Sequence, residues 1–325
     1  MAAAHGASVV GKSHPKDPES GWLNINWSLT PSTTIGRALV SATQRLQASS
    51  DDAAQLDAQV ILAHVLGVDR SWLFAHYDHK LSAAEAERYT ELIVRRVHHE
   101  PVAYLIGHKE FYGLDFYVDT RVLIPRPETE LIVDAVLRDL EMRSDVLPAG
   151  VRPRVMDVGT GCGAIALAVA ANCPQVQVHA TDVSPDALDV ARINILRLDT
   201  RSQVTLLQGD LLAPLTKKVD MTKVDIIAAN LPYIDSEEYK TLAPDVRNYE
   251  PQLALEAGPD GLNAIARLLT QAPRFLNPNG VLFLEIGAEQ GEAVTSLAHA
   301  AIPQARAIDL RQDYNGLDRI VTVAL

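Results

Sequence analysis

Residues 154–173 read RVMDVGTGCGAIALAVAANC, and the fold is decided here. The opening RVMDVG is a short apolar run with the pattern of a buried strand, and AIALAVAANC has the length and composition of a helix. Between them stand Gly159, Gly161 and Gly163. Glycines at that junction permit a tight turn and let backbone approach a ligand closely. The loop alone leaves the ligand open. Gly159, Gly161 and Ala164 also satisfy the dinucleotide pattern G-x-G-x-x-G/A, which would set a pyrophosphate at the helix N-terminus. A glycine turn needed only for packing is the bland alternative, and the strand–loop–helix setting argues against it.

Outward from this stretch the texture repeats. QVHATDV predicts a strand and PDALDVARINILRL a helix, and VTLLQGD, VDIIAANL, GVLFLEIG and LDRIVTVAL predict further strands. Strands alternating with helices imply parallel βαβ units and an α/β, doubly wound sheet. Ligands of such sheets sit beyond the carboxyl ends of the strands, near the point where strand order reverses. Asp157 precedes the loop, Asp182 ends the next strand, and Gly209-Asp210 ends the third. Asp157 would repel a pyrophosphate and attract a cationic group, while Asp182 can accept both hydrogen bonds of a ribose diol. Three acids around a glycine loop suit S-adenosylmethionine, which carries an ammonium and a sulfonium. Taken singly, each aspartate could equally be a turn or cap residue.

At 227–234 the chain reads IAANLPYI. A buried-strand pattern ends at Asn230, and Leu231, Pro232 and Tyr233 follow. Methyl transfer from a sulfonium is an in-line displacement, so the protein must align the nucleophile. A planar nitrogen is a poor nucleophile until its lone pair leaves conjugation. Asn230 Oδ1 and the Leu231 carbonyl can accept its two N–H groups. Pro232 restricts Leu231 to extended backbone, and Tyr233 can stack on a flat acceptor. Leu231 is expected to serve through its backbone, leaving its side chain negotiable. A plain β-turn is the competing reading in isolation.

Totals narrow the class. The 325 residues are 47% hydrophobic and 22% charged, ordinary for a soluble protein. No run reaches the ~18–20 apolar residues of a membrane helix, and the N-terminus lacks the pattern of a secretory signal. Cys162 and Cys173 form no CxxC pair and read as reduced thiols of a cytoplasmic protein, without a disulfide or metal site. The net charge is −12; residues 106–325 hold 20 basic and 30 acidic groups, which disfavours nucleic acid as a partner. His98-His99-Glu100 and HYDH at 76–79 lack metal-ligand spacing and read as helix ends.

Residues 1–30 lack periodicity and read as a flexible extension. From 31 to 107 helices are expected, with Leu56, Val60, Ile61 and Val65 recurring at helical spacing and a capping box of Ser82 and Glu85. EFYGLDFYVDTRVLI alternates around Gly113-Leu114-Asp115, which predicts a β-hairpin linker within 108–125. PRPETELIVDAVLRDLE then opens a helix at the head of a domain running from 126 to 325.

These motifs together carry a resemblance. NLPY is similar to the (Asn/Asp)-Pro-Pro-Tyr signature of enzymes that methylate planar nitrogens. With EPVAYLIGHKEFYGLDF, LIPRPETELIV, DVGTGCGAIALAVA, DVSPDALDVARIN, EPQLALEAGPDGL and GLDRIV, the chain from about Asp57 onward resembles the HemK/PrmC family. Those are N5-glutamine methyltransferases of bacterial peptide-chain release factors. The resemblance implies a mostly parallel seven-stranded methyltransferase sheet, a small N-terminal helical domain that docks the protein substrate, and the glutamine of a Gly-Gly-Gln loop as acceptor. It implies that Gly159, Thr160, Gly161, Cys162, Gly163 and Asp182 bind S-adenosylmethionine, with Leu211 beside the adenine and Asp210 next to it. Asn230 would touch cofactor and substrate, Leu231, Pro232 and Tyr233 would complete the glutamine pocket, and Arg126 and Glu130 would close over the cofactor.

The family usually has proline where this chain has Leu231. Asn-Leu-Pro-Tyr is typical of ribosomal-RNA adenine dimethyltransferases, so adenine N6 is the alternative acceptor. The acidic catalytic region, PRPETE with its preceding helical domain, and the 92 residues after Tyr233 all favour glutamine.

Overall fold

The computed structural model describes residues 27–49, 53–144, 151–217 and 223–325. The expected extension at 1–30 lies outside these as far as residue 26. The chain divides into two compact units between His98 and His99.

The first unit is helical. It contains α1 (Ile35–Gln47), α2 (Ala54–Leu66), α3 (Arg70–Ala75) and α4 (Ala83–Val97). The capping box forms as expected: Glu85 N donates to Ser82 Oγ at 3.3 Å and Ser82 N to Glu85 Oε2 at 2.7 Å. α2 departs from the expected face. It buries Ala54, Ala58, Ile61 and Leu62 and leaves Leu56 exposed, because helix neighbours, not the largest apolar residue, set which stripe turns inward. Arg96 Nε donates to Asp57 Oδ2 at 2.7 Å, an ion pair sheltered between α4 and α2. Residues 27–30 are tied to this unit, with Trp27 Nε1 on Ser41 Oγ and Leu29 N on Thr90 Oγ1. His76 ends α3 and stacks on Trp72, and His98 ends α4.

The second unit opens with α5 (Val102–Ile106) and the hairpin β1 (His108–Phe111) and β2 (Leu114–Tyr117). The turn is Tyr112-Gly113, one residue earlier than the expected centre. Both residues have positive φ, 52° and 72°, as the twist of a two-residue hairpin requires. A 3-10 turn at Pro127–Thr129 leads into α6 (Glu130–Ser144). There follow β3 (Arg154–Val158), α7 (Ala164–Asn172), β4 (Gln177–Asp182), α8 (Pro185–Arg197), β5 (Val204–Gln208) and β6 (Val224–Ala229). The short α9 (Glu238–Thr241) and α10 (Pro244–Tyr249) precede α11 (Asn263–Phe275), β7 (Leu276–Glu285), α12 (Gly291–Ala301), β8 (Ala307–Gln312) and β9 (Asp318–Ala324).

These strands form one seven-stranded sheet in the order β5-β4-β3-β6-β7-β9-β8. β3 to β7 pair in parallel, and β9 alone runs against its neighbours. The α/β, doubly wound, mostly parallel architecture is therefore as expected. Successive residues of a strand serve opposite faces: Val155, Ile226 and Phe283 belong to one core, Met156, Ile227 and Leu282 to the other. A sheet covered on both sides needs such continuous apolar runs. Chain order reverses between β3 and β6, so the carboxyl ends of those strands flank the crevice where ligands of such sheets bind. Among the described residues no helix is long and apolar enough to cross a membrane.

Candidate active site

β3 delivers the chain into the glycine loop at Gly159, whose φ is +75°. A side chain there would be strained by that angle, and its Cβ would come within 3.0 Å of Leu231 Cδ2. The loop is stitched to the chain around it. Gly159 N and Thr160 N both donate to Thr181 O at 2.9 Å, Gly161 N to Asp182 Oδ2 at 2.9 Å, and Gly163 N to Thr160 O at 2.8 Å. Asn194 Nδ2 holds the carbonyl of Cys162 at 2.9 Å. Four loop N–H groups are thus already engaged, which leaves little for a pyrophosphate and sets a carboxylate where its charge would fall. The dinucleotide reading fails on this geometry.

Asp157 is turned inward and is not in the cavity wall. Its Oδ2 accepts from Thr160 Oγ1 at 2.6 Å and Ala166 N at 3.1 Å, while Oδ1 has no partner. Burial pushes its carboxyl up to about 7. It holds the loop, and the expectation that it attracts a cationic ligand group is not met. Asp182 does face the cavity. It accepts Gly161 N and Ser184 N, one on each oxygen, and burial raises its pKa. Each oxygen keeps a lone pair for a further donor.

A cavity of about 210 Å³ opens at the carboxyl ends of β3 to β6. Gly159, Gly161, Asp182, Asp210 and Leu211 stand on one side, and Asn230, Leu231 and Pro232 on another. Leu211 has φ +47°, unusual for a branched side chain. A residue held there costs on the order of 1 kcal/mol, and such outliers gather at binding sites. Thr160, Cys162, Gly163 and Tyr233 are adjacent in sequence to wall residues but do not line the cavity. Burial pushes the Cys162 thiol up to about 12, so it is inert.

Asn230 Nδ2 donates to Thr129 Oγ1 at 3.0 Å, leaving Oδ1 as the amide's acceptor. Leu231 is buried and packs over Gly159, so its side chain is less negotiable than its backbone role suggests. Beyond it the chain is locked. The Tyr233 carbonyl accepts from Gln290 Nε2 at 2.9 Å, and a Cβ on Gly261 would lie 2.2 Å from that oxygen. Burial, with Glu285 nearby, pushes the Tyr233 phenol up to about 12, so it stays neutral.

Arg126 and Glu130 are not in the cavity wall. Arg126 Nη2 pairs with buried Glu250 at 2.5 Å, and Glu130 Oε1 accepts Tyr112 N at 2.9 Å. Residues that sequence reading missed take their place: 121–123 with Pro251, Leu253 and Ala254 complete the walls, and Arg267, paired to Asp210, stands among them. EPQLALEAGPDGL was the one signal for 251–254. Among the described residues no cluster of three or more His, Cys, Asp or Glu could hold a metal.

The family model described as the PrmC N-terminal domain matches residues 37–107, and the methyltransferase small domain matches 141–244. A release factor glutamine methyltransferase of Moorella thermoacetica is 43% identical over 286 residues, 88% of this chain and 96% of that protein. One from Rhodopirellula baltica is 38% identical, over 89% and 96%. Among solved structures, the hMettl16 catalytic domain in complex with an RNA hairpin superposes with a TM-score of 0.51 at 15% identity, covering 74% of this chain and 79% of that one, a likeness of fold alone. With identity of this level along nearly the whole of both chains, the protein belongs to the release factor glutamine methyltransferase family.

Proposed function

We propose that the protein transfers a methyl group from S-adenosylmethionine to the side-chain amide nitrogen of the glutamine in the Gly-Gly-Gln motif of bacterial class I peptide-chain release factors. One observation carries the reading: an asparagine amide with its acceptor end uncommitted stands in the same cavity wall as the glycine loop and Asp182.

The walls fit the cofactor. Asp182 has lone pairs for a ribose diol, Asp210 and Leu211 flank the adenine end, and the two arginines in the wall are already paired, Arg121 to Asp119 and Arg267 to Asp210. When bound, S-adenosylmethionine supplies a methyl group on a positively charged sulfur that leaves as a neutral thioether. Asn230 Oδ1 accepts one N–H of the glutamine amide and the Leu231 carbonyl the other. With both held, the nitrogen lone pair turns toward the methyl group, and alignment replaces the entropy cost of a chance encounter. Gly161, Asp182 and Leu211 would hold the cofactor, whose methyl group would pass from sulfur to the nitrogen held by Asn230 and Leu231, the displaced amide proton going to solvent. Pro232 keeps Leu231 extended, so its carbonyl stays aimed. Tyr233, set behind the wall with its carbonyl held by Gln290, anchors the turn that carries this clamp. The helical unit that matches the PrmC N-terminal domain docks the release factor.

Leu231 keeps adenine N6 as the second acceptor to test, since it would use the same two hydrogen bonds. Labelled S-adenosylmethionine is incubated with purified release factor, with its Gly-Gly-Gln→Gly-Gly-Ala variant and with ribosomal RNA. Label on the unmodified factor alone is expected. Label on RNA alone overturns the reading.

A further inference from the structure

Half of the clamp is backbone. The Asn230 amide is held by Thr129, but the Leu231 carbonyl points wherever the turn behind it points. Pro232 fixes one torsion of that turn. The rest is fixed further along, at the peptide joining Tyr233 to Ile234. Its N–H donates to Leu255 O at 3.0 Å, and its carbonyl accepts from Gln290 Nε2 at 2.9 Å. The peptide plane is pinned at both ends.

Gln290 stands 57 positions beyond Tyr233, immediately before α12. Both ends of its side-chain amide are in use. Oε1 accepts from Gly287 N at 3.0 Å, and Nε2 donates to Tyr233 O and, at 3.5 Å, to Gly261 O. An amide set between one N–H and two carbonyls has a single orientation that satisfies all three. Gly261 has φ +68°, and a Cβ there would stand 2.2 Å from Tyr233 O and 2.8 Å from Gln290 Nε2. Three stretches thus meet at one carbonyl: the turn after β6, the loop after β7 and the turn at 258–261.

The cofactor side does not depend on this junction. Gln290 is not in the cavity wall. The wall at Pro251, Leu253 and Ala254 has its own anchor, since the neighbouring Glu250 accepts from Ile124 N and from Arg126. Loss of Gln290 frees the turn and leaves that wall in place.

We propose that Gln290 is a positioning residue for methyl transfer, which holds the Tyr233 carbonyl and thereby aims the Leu231 carbonyl at the acceptor nitrogen. The inference rests on the glutamine-transfer reading and names the residue that sets the backbone half of its clamp.

The test uses the full chain with Gln290→Met, Gln290→Glu and Gly261→Ala. Gln290→Met keeps the length and removes the amide; kcat is expected to fall about 10- to 100-fold, with the calorimetric Kd for S-adenosylmethionine within about threefold. Gln290→Glu keeps an acceptor for Gly287 N, sets an oxygen against the two carbonyls, and falls at least as far. Gly261→Ala presses on the same carbonyl, so adding it to Gln290→Met costs no more than about threefold beyond the worse single variant. A second readout needs no methyl acceptor. Tyr233-Ile234 is the only Tyr-Ile pair in the sequence. Labelling tyrosine carbonyls with 13C and isoleucine amides with 15N therefore gives one carbonyl signal for this peptide, and that signal moves in Gln290→Met as the carbonyl loses its donor. An unmoved signal, or Gln290→Met turnover equal to wild type, overturns the proposal. So does a cofactor Kd that weakens in step with kcat, which would make Gln290 a support of the whole site. Failure of wild type to label the release factor overturns the functional reading instead, while the carbonyl signal still decides whether Gln290 holds the turn.

Discussion

Two buried acids, Asp157 and Glu285, sit at the carboxyl ends of strands of the sheet, and their surroundings differ. At the end of β3, Thr160 donates to Asp157 Oδ2, and Ala166 N joins it there. Near the end of β7, Thr129 accepts from Asn230 Nδ2 at 3.0 Å, and Glu285 lies buried in the strand's last position. Each acid keeps one oxygen without a partner, and burial lifts each to about 7. Asp157 closes on its own loop through Thr160 and Ala166 and makes the glycine turn rigid. Beside Glu285, Thr129 instead holds the amide of Asn230, a residue of the cavity wall. The glycine-loop side of the site is thus braced largely by backbone, and the Asn230 side by a contact between two side chains.

Asn230→Ala should break the comparison most severely. One N–H acceptor disappears and the substrate amide can rotate, so kcat should fall by a factor of about 100 or more. The binding constant for S-adenosylmethionine, measured by calorimetry, should move far less. Near-normal turnover would mean that the backbone carbonyl alone suffices as a clamp.

Paired variants sharpen the contrast. For both acids the folded pKa lies above the unfolded value, so protonation favours the fold. That contribution is full below about pH 4 and is lost as pH rises through about 7. Asp157→Asn and Glu285→Gln should each flatten the fall in stability between pH 5 and 8, by on the order of 2–3 kcal/mol per carboxyl, read from denaturant unfolding.

Leu231→Pro should have the smallest effect. The carbonyl survives, and the buried side chain over Gly159 is replaced by a smaller one. Turnover should stay within about threefold, with Tm lowered by a few degrees. A collapse of kcat with an intact fold would show that the leucine side chain shapes the acceptor pocket.

Much of this was legible in the chain itself. The strand–glycine–helix stretch and the strand ends at Asp182, Asp210 and Asn230 are signalled by neighbouring residues, and the sheet was readable from alternation alone. One strand was not. Six strand segments can be named from their residues, but β8 pairs only with β9 at the edge and alternates weakly, with Leu310 left exposed. Edge strands bury one side at most, so their composition carries a fainter pattern. Leu56 misled for a related reason, since periodicity gives the spacing of a buried stripe but not its angle around the helix.

The site shows the same division. Gly159, Asp182 and Asn230, all in the cavity wall, each lie in a stretch legible from its neighbours, whereas Leu211 was expected there only from the family resemblance. Thr129 and Asn230 stand 101 positions apart, and no pattern between them announces the contact. What the sequence by itself determined is the order of strands and helices, the turn chemistry of the glycine loop and the presence of an amide at a strand end, because these follow from φ preference and periodicity among neighbours. Long-range packing set Asp157 facing inward, brought 121–123 with Pro251, Leu253 and Ala254 to the cavity, and placed Asn230 Nδ2 against Thr129. That last contact joins residues 101 positions apart, and only the packing of the 3-10 turn beside the end of β6 makes it.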